Sequence, residues 1–146
     1  MSAQENKAIV RCFLEGIFTQ GNADVVDELA APDFVVHDPS SGAGDVDAEG
    51  VKGSIAWSHG AFPDLRVTIE DQVAEGDKVA TRWTVRGTHR GEMMGAAATG
   101  NRVTFAGTQT DRISGGKIVE SWSNWDTLGM LRQIGDVPAP GRQTGS

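Results

Sequence analysis

The segment from Gly115 to Gly135 constrains the fold of this chain more than any other. Gly115-Gly116 is a hairpin turn, and Lys117 to Asp126 then reads as a strand. Beyond it, Leu128, Leu131 and Ile134 repeat on one side of a short helix. Trp122 and Trp125 stand three residues apart in the strand, so their side chains leave it on opposite faces. A last strand with an indole on each face is covered on both sides, and a short helix after it suits a curved sheet closed around a pocket.

The rest of the chain supplies helices first and strands afterwards. Ser2 and Glu5 form a capping box that opens a first helix, in which Ile9, Val10, Phe13, Leu14 and Ile17 recur at helical spacing until Gly21. A second helix is predicted from Ala23 to Leu29, stopped before Pro32, and a brief strand from Phe34 to His37. Pro39 to Gly50, rich in Gly, Ser and Asp, reads as a surface loop. A third helix covers Val51 to Phe62, with Ile55, His59 and Phe62 along one side. Leu65, Val67, Ile69 and Val73 alternate with polar residues as a half-buried strand, and Glu75-Gly76-Asp77 turns into a long strand from Lys78 to His89. Arg90 to Asn101 reads as a loop over an opening, and Arg102 to Ser114 as another long strand. This order predicts an α+β fold in one domain, residues 1–135, with a loose tail from 136 to 146.

Composition limits the function classes. A net charge of −7 gives no basic face for nucleic acid, and no apolar run reaches membrane-spanning length. The first residues lack the basic and apolar regions of a signal peptide, so a cytoplasmic location is expected. Cys12 is the only cysteine, which excludes an intrachain disulfide; its helical position predicts a buried, inert thiol.

Chemistry is sought where strands break their own pattern. In Arg102 to Ser114, Val103, Phe105 and Ile113 share a face with Gly107, Gln109 and Asp111. A carboxylate on an apolar strand face costs several kcal/mol unless paired, hydrogen-bonded or neutralised. Asp111 is therefore either a pocket residue or an ion-pair partner beneath the sheet. Arg82, on the preceding strand with Thr84 and Arg86, is the candidate partner; alternatively these arginines are solvated on the convex face. His37, His59 and His89 are the only histidines. His37 and His89 close strands, where acid/base groups or loop hydrogen bonds are both found, and His59 is either a core imidazole or a catalytic one.

Other motifs fail. None of the histidines has a metal-ligand spacing, so no metal site is expected. Asp45 to Gly50 imitates the start of a calcium loop, but its twelfth position is Ala56 where a Glu is required. Gly42-Ala43-Gly44 lacks the third glycine of a dinucleotide fingerprint, and there is no nucleophile elbow. General acid/base chemistry or binding is left, with no cofactor.

Five stretches together resemble the SnoaL-like polyketide cyclases of the nuclear transport factor 2-like superfamily: Phe62 to Val67, Glu75 to Ala80, Gly87 to Gly91, Gly115 to Glu120, and Leu131 to Gly135. The resemblance implies a cone in which a curved antiparallel sheet packs against three helices, commonly paired as a homodimer across the sheet. Thr104, Thr108 and Thr110, opposite the apolar face, suit such a sheet-to-sheet contact. It further implies an apolar cavity in which an Asp, helped by a His on the adjacent strand, closes a ring by aldol condensation. Aligned through the Gly-Lys-Ile and Arg-Gln-Ile-Gly stretches, that Asp falls on Ser123 and the His on Gln109, neither a proton acceptor near neutral pH. The Arg-x-Asp strand motif of the related limonene epoxide hydrolases is also incomplete, since Arg82-Trp83-Thr84 lacks the Asp.

The resulting expectation is a cofactor-independent cyclase acting on an apolar polyketide-type substrate, by a ring closure other than the family's aldol reaction. The alternatives are a monooxygenase without metal or flavin and a small-molecule binding protein. Asp111, His37 and Gln109 are the expected catalytic residues. Phe62, Trp83, Met93, Met94, Phe105, Ser123, Trp125 and Arg82 are expected to hold the substrate.

Overall fold

A computed structural model describes residues 2–42, 44–93 and 95–135. The expected tail from 136 to 146 lies outside the described residues. Helix α1 (Ala3–Leu14) begins with the expected capping box between Ser2 and Glu5 and runs into a π-helical turn, Glu15–Thr19. Helix α2 (Asp24–Leu29) leads directly into strand β1 (Ala30–Asp38). A 3-10 turn (Pro39–Ser41), strand β2 (Gly44–Asp47) and helix α3 (Ala48–Ala61) follow. Strands β3 (Arg66–Glu75), β4 (Lys78–Thr88), β5 (Arg102–Ser114) and β6 (Lys117–Trp125) form a meander, and helix α4 (Thr127–Gln133) closes the described chain.

The six strands make one sheet in the order β2-β1-β6-β5-β4-β3. The expected fold class holds, but the sheet is mixed: β1 lies parallel to β6, and every other pair is antiparallel. The helices cover one face. Val10, Phe13 and Leu14 of α1, Ile55 of α3, and Val79, Trp83, Val85, Val103, Ile113 and Ile118 of the sheet are almost completely buried there. Each such side chain contributes roughly 1.5–3 kcal/mol by leaving water, which is ample to fix helices of this length against the sheet.

Close packing depends on two absent side chains. Trp83 on β4 is in register with Gly107 on β5, and a Cβ at Gly107 would lie 2.5 Å from the indole ring. Gly107 thus gives the indole a floor to lie on. A Cβ at Gly91 would lie 2.2 Å from the carbonyl oxygen of Gly60. There the chain leaving β4 crosses the end of α3, and the amides of Arg90 and Gly91 both donate to the carbonyl of Ala61.

Four local expectations are corrected. Pro39 to Gly50 is not a plain loop. Asp38 caps the 3-10 turn, β2 pairs with β1, and Asp47 caps α3 by accepting from the Gly50 amide. The strand read as Phe34 to His37 extends over all nine residues of β1. Val73 is exposed rather than inward, because the β3–β4 register shifts between Ile69 and Asp71. One extra residue there hands the inner face to Gln72 and Ala74. Cys12 is exposed, since the inward stripe of α1 is Asn6, Val10, Phe13 and Leu14 and the thiol stands off it.

Candidate active site

The helices and the concave face of the sheet enclose a cavity of about 590 Å³. Phe13 and Phe18 wall it from the first helical segment, Trp57 from α3, Phe62 and Met93 from the connecting loops, and Trp83, Phe105 and Trp125 from the sheet. The rings touch in series: Phe18 to Trp83 at 5.3 Å, Trp83 to Phe105 at 6.4 Å, and Phe105 to Trp125 at 5.2 Å between centroids. Such a wall of aromatic and sulfur-bearing side chains suits a flat, apolar molecule.

A polar cluster interrupts it on the sheet side. Asp111 is fully buried; its Oδ1 accepts from the Ser121 hydroxyl at 2.5 Å and its Oδ2 from Gln109 Nε2 at 2.9 Å. The three meet because β5 and β6 pair Asp111 with Ser121 and Gln109 with Ser123. Gln109, Ser121 and Ser123 line the cavity, whereas Asp111 lies behind Ser121 and Gln109. Burial pushes the Asp111 carboxyl up to about 6, and the bonds from Ser121 and Gln109 only partly oppose it. Ser121 and Gln109 stand between this carboxyl and the cavity.

Of the residues expected to hold substrate, Phe62, Trp83, Met93, Phe105, Ser123 and Trp125 all line the cavity, as does Gln109. Met94 lies outside the described residues. Arg82 is placed elsewhere: it is exposed on the outer face, in register with Thr108 and Asp71, and does not meet Asp111. Strand alternation is the reason, since Trp83 points inward and its neighbour must point out. His37 also faces away from the cavity. Its Nδ1 bonds Asp45 Oδ1 and its Nε2 bonds Glu120 Oε2, both at 2.7 Å, and its ring stacks on Trp122. Glu120 first and Asp45 second hold the imidazole above its ordinary value.

Neither of the other two histidines lines the cavity. His59 Nε2 donates to the carbonyl of Ile17 at 3.1 Å and fastens α3 to the π-helical turn. His89 is fully buried, and its Nδ1 accepts from the Thr99 amide at 3.3 Å, tying down the loop that follows β4. Asp64 accepts from both the amide and the hydroxyl of Thr88, which hold its carboxyl below the usual range and fix the end of β4. Among the described residues no cluster of three metal-ligating side chains occurs, and no helix is long and apolar enough to cross a membrane.

Sequence reading missed the contribution of α3 and of the turn after β1. Ser54, Trp57, Ser58, Asp38 and Ser41 all line the cavity. The recurrence of Val51, Ser54, Ser58 and Phe62 at helical spacing was the available signal, hidden by the hydroxyls along it.

A curved sheet closed by helices around an apolar cavity, with a carboxyl, amide and hydroxyl cluster in its wall, is a nuclear transport factor 2-like fold with a candidate site. The chain belongs to the SnoaL-like polyketide cyclase family, whose sequence profile matches residues 8–134. It is similar to IdmH of Streptomyces antibioticus, a proposed polyketide cyclase, at 34% identity over 89% of this chain and 98% of that one, with a TM-score of 0.80. AclR of Streptomyces galilaeus, a proposed hydroxylase, superposes with a TM-score of 0.85 at 29% identity, over 94% of this chain and 89% of that one. A proposed polyketide cyclase from Acidithiobacillus ferrooxidans is 29% identical over 92% of this chain and 97% of that one, with a TM-score of 0.80. No protein of curated function matches significantly.

Proposed function

We propose that this protein closes a ring in a polyketide-type intermediate, without a cofactor, by folding the substrate against the aromatic wall and handling one proton. The observation that carries this reading is the buried Asp111, held by Ser121 and Gln109 in the wall of an otherwise apolar cavity. The second amide hydrogen of Gln109 can turn to a carbonyl oxygen as negative charge develops on it, while the Ser121 hydroxyl, whose one hydrogen is given to Asp111, is freed to donate only when Asp111 is protonated and donates to it. Confinement to a near-reactive conformer contributes the rest, worth up to about 7–11 kcal/mol in well-oriented reactions. The positions where the family's aldol mechanism expects Asp and His hold Ser123 and Gln109, which favours a ring closure driven by position and hydrogen bonding.

Incubation with a linear enone bearing a hydroxyl or activated methylene, followed by chromatography and mass spectrometry, tests the reading. An isomer, or a product short of one water, supports it. A product heavier by one oxygen would instead support the second reading, hydroxylation, which the likeness to AclR favours. Tight binding with no product would make the protein a carrier.

We further propose a homodimer through the outer face of the sheet. Trp122 is 37% exposed there, and a second copy would cover it. Light scattering at micromolar concentration should give twice the chain mass.

A further inference from the structure

Asp38 is the only ionisable side chain among the described residues that line the cavity. It stands at the end of β1, and its position follows from register. In the parallel pairing Val36 lies beside Ser121 and His37 beside Trp122, so Asp38 comes alongside Ser123. The chain keeps that course afterwards: the Trp125 amide donates to Ser40 Oγ at 2.9 Å and the Thr127 hydroxyl to the Ser40 carbonyl at 2.6 Å. Ser123 is in turn paired with Gln109 on β5. Asp38, Ser123 and Gln109 thus form a polar row across three strands, spanning about 10 Å at two strand spacings. That is the width of one or two fused rings.

The inward aim of Asp38 is fixed from outside. His37, one residue earlier, is bonded at both ring nitrogens on the opposite face, to Asp45 and Glu120. Alternation along β1 then directs the next side chain into the cavity. On the inner side Asp38 Oδ1 receives the Ser41 amide at 3.4 Å, as the cap of the 3-10 turn.

We propose that Asp38 is the catalytic base of the ring closure, reaching the substrate from the same wall of the sheet as the Gln109 donor, with Ser123 between them. The inference rests on the cyclase reading above and names the proton acceptor that Ser123 and Gln109 cannot supply. Asp38 takes the proton from the nucleophile, a hydroxyl or a carbon between two carbonyls. The freed electron pair forms the new bond to the β-carbon of a conjugated enone. The alkene pair shifts to give an enolate whose oxygen accepts from Gln109, whose NH₂ group keeps a second hydrogen beside the one given to Asp111. The proton then passes from Asp38 to the α-carbon, so the product is an isomer with nothing gained or lost.

The test has two independent arms. On an enone that the wild-type protein converts, Asp38→Asn should lower kcat by about 10²–10⁴-fold with KM changed only a few-fold. Asp38→Ser should do the same, and both replacements keep a side chain able to cap the turn, with folding checked by circular dichroism. Retention of wild-type kcat in either folded variant overturns the assignment. The second arm needs no turnover: wild-type protein should bind 2-naphthol about 10-fold or more tightly than its methyl ether, because only the naphthol donates to a carboxylate. That preference should collapse in Asp38→Asn. Equal binding of the two probes by wild type, or a preference that survives the substitution, overturns the assignment. Absence of any enone conversion, with the naphthol preference intact and Asp38-dependent, refutes the cyclase reading alone.

Discussion

Replacing Asp111 by Asn should make the protein more stable at neutral pH and not at pH 4. The wild-type carboxyl is raised from 3.8 to about 6 by burial. Below pH 4 it is protonated in both folded and unfolded chains, and its contribution is fully favourable. Between about 4 and 6 the unfolded chain releases the proton while the native one keeps it, so stability falls as pH rises; above about 6 the loss is complete. A displacement of roughly two pH units corresponds to about 3 kcal/mol. Asn has no proton to lose and can keep the Ser121 bond through its carbonyl oxygen, while Gln109 turns its amide to accept from the new NH₂ group. The difference in stability, variant minus wild type, should therefore rise by about 3 kcal/mol between pH 4 and pH 7.5. At roughly 3 °C per kcal/mol for a chain of this size, the relative Tm should shift by about 9 °C. Thermal unfolding followed by circular dichroism across that range measures it, and titrations elsewhere, such as His37, cancel in the comparison. A difference that stays flat from pH 4 to 7.5 would refute the claim that burial governs this carboxyl.

On a converted substrate, Asp111→Asn should reduce turnover more than Ser123→Ala, read from steady-state kcat. NMR titration should place His37 above its ordinary 6.5, and Glu120→Gln should lower it more than Asp45→Asn, following the order of their contributions. The stabilisation His37 gains from these carboxylates is present below pH 6.5 and is lost as pH rises through its folded value. Gly91→Ala should cost about 1–3 kcal/mol in chemical denaturation, because its Cβ would meet the backbone carbonyl of Gly60. Trp83→Ala should cost about 3–5 kcal/mol and weaken binding of any apolar ligand, measured by denaturation and by fluorescence titration.

The meander was legible because its strands alternate cleanly: Asp111 announced itself as a charge on the face of Val103 and Ile113, and it is buried there. What alternation cannot convey is a shift in register. Val73 was assigned inward by counting in twos through the β3 irregularity, and the count fails after Ile69. Nor does a sequence reveal which face of a strand is concave, so Arg82 and His37 were placed in the cavity on the strength of position in the strand alone. The segment from Pro39 to Gly50 was opaque for another reason. Its Gly, Ser and Asp residues serve as caps and turns around a strand of only four residues, too short to show a period. The same segment carries α3 into place, so Trp57 and Ser58 were missed with it.

The parallel contact between β1 and β6 joins residues more than 80 positions apart: Val36 lies beside Ser121. Until β6 exists, β1 has only the four-residue β2 as a partner, and one wall of the cavity is missing. During synthesis the segment through α3, with Asp38 and Trp57, has only that partner until β6 leaves the ribosome. Non-local closure of this kind slows folding and leaves an apolar sheet edge open to other chains meanwhile. The cavity is thus the final part of the molecule to be made, so a chain cut short before Lys117 has neither the Ser121 side of its polar cluster nor the strand that holds Asp38 in place.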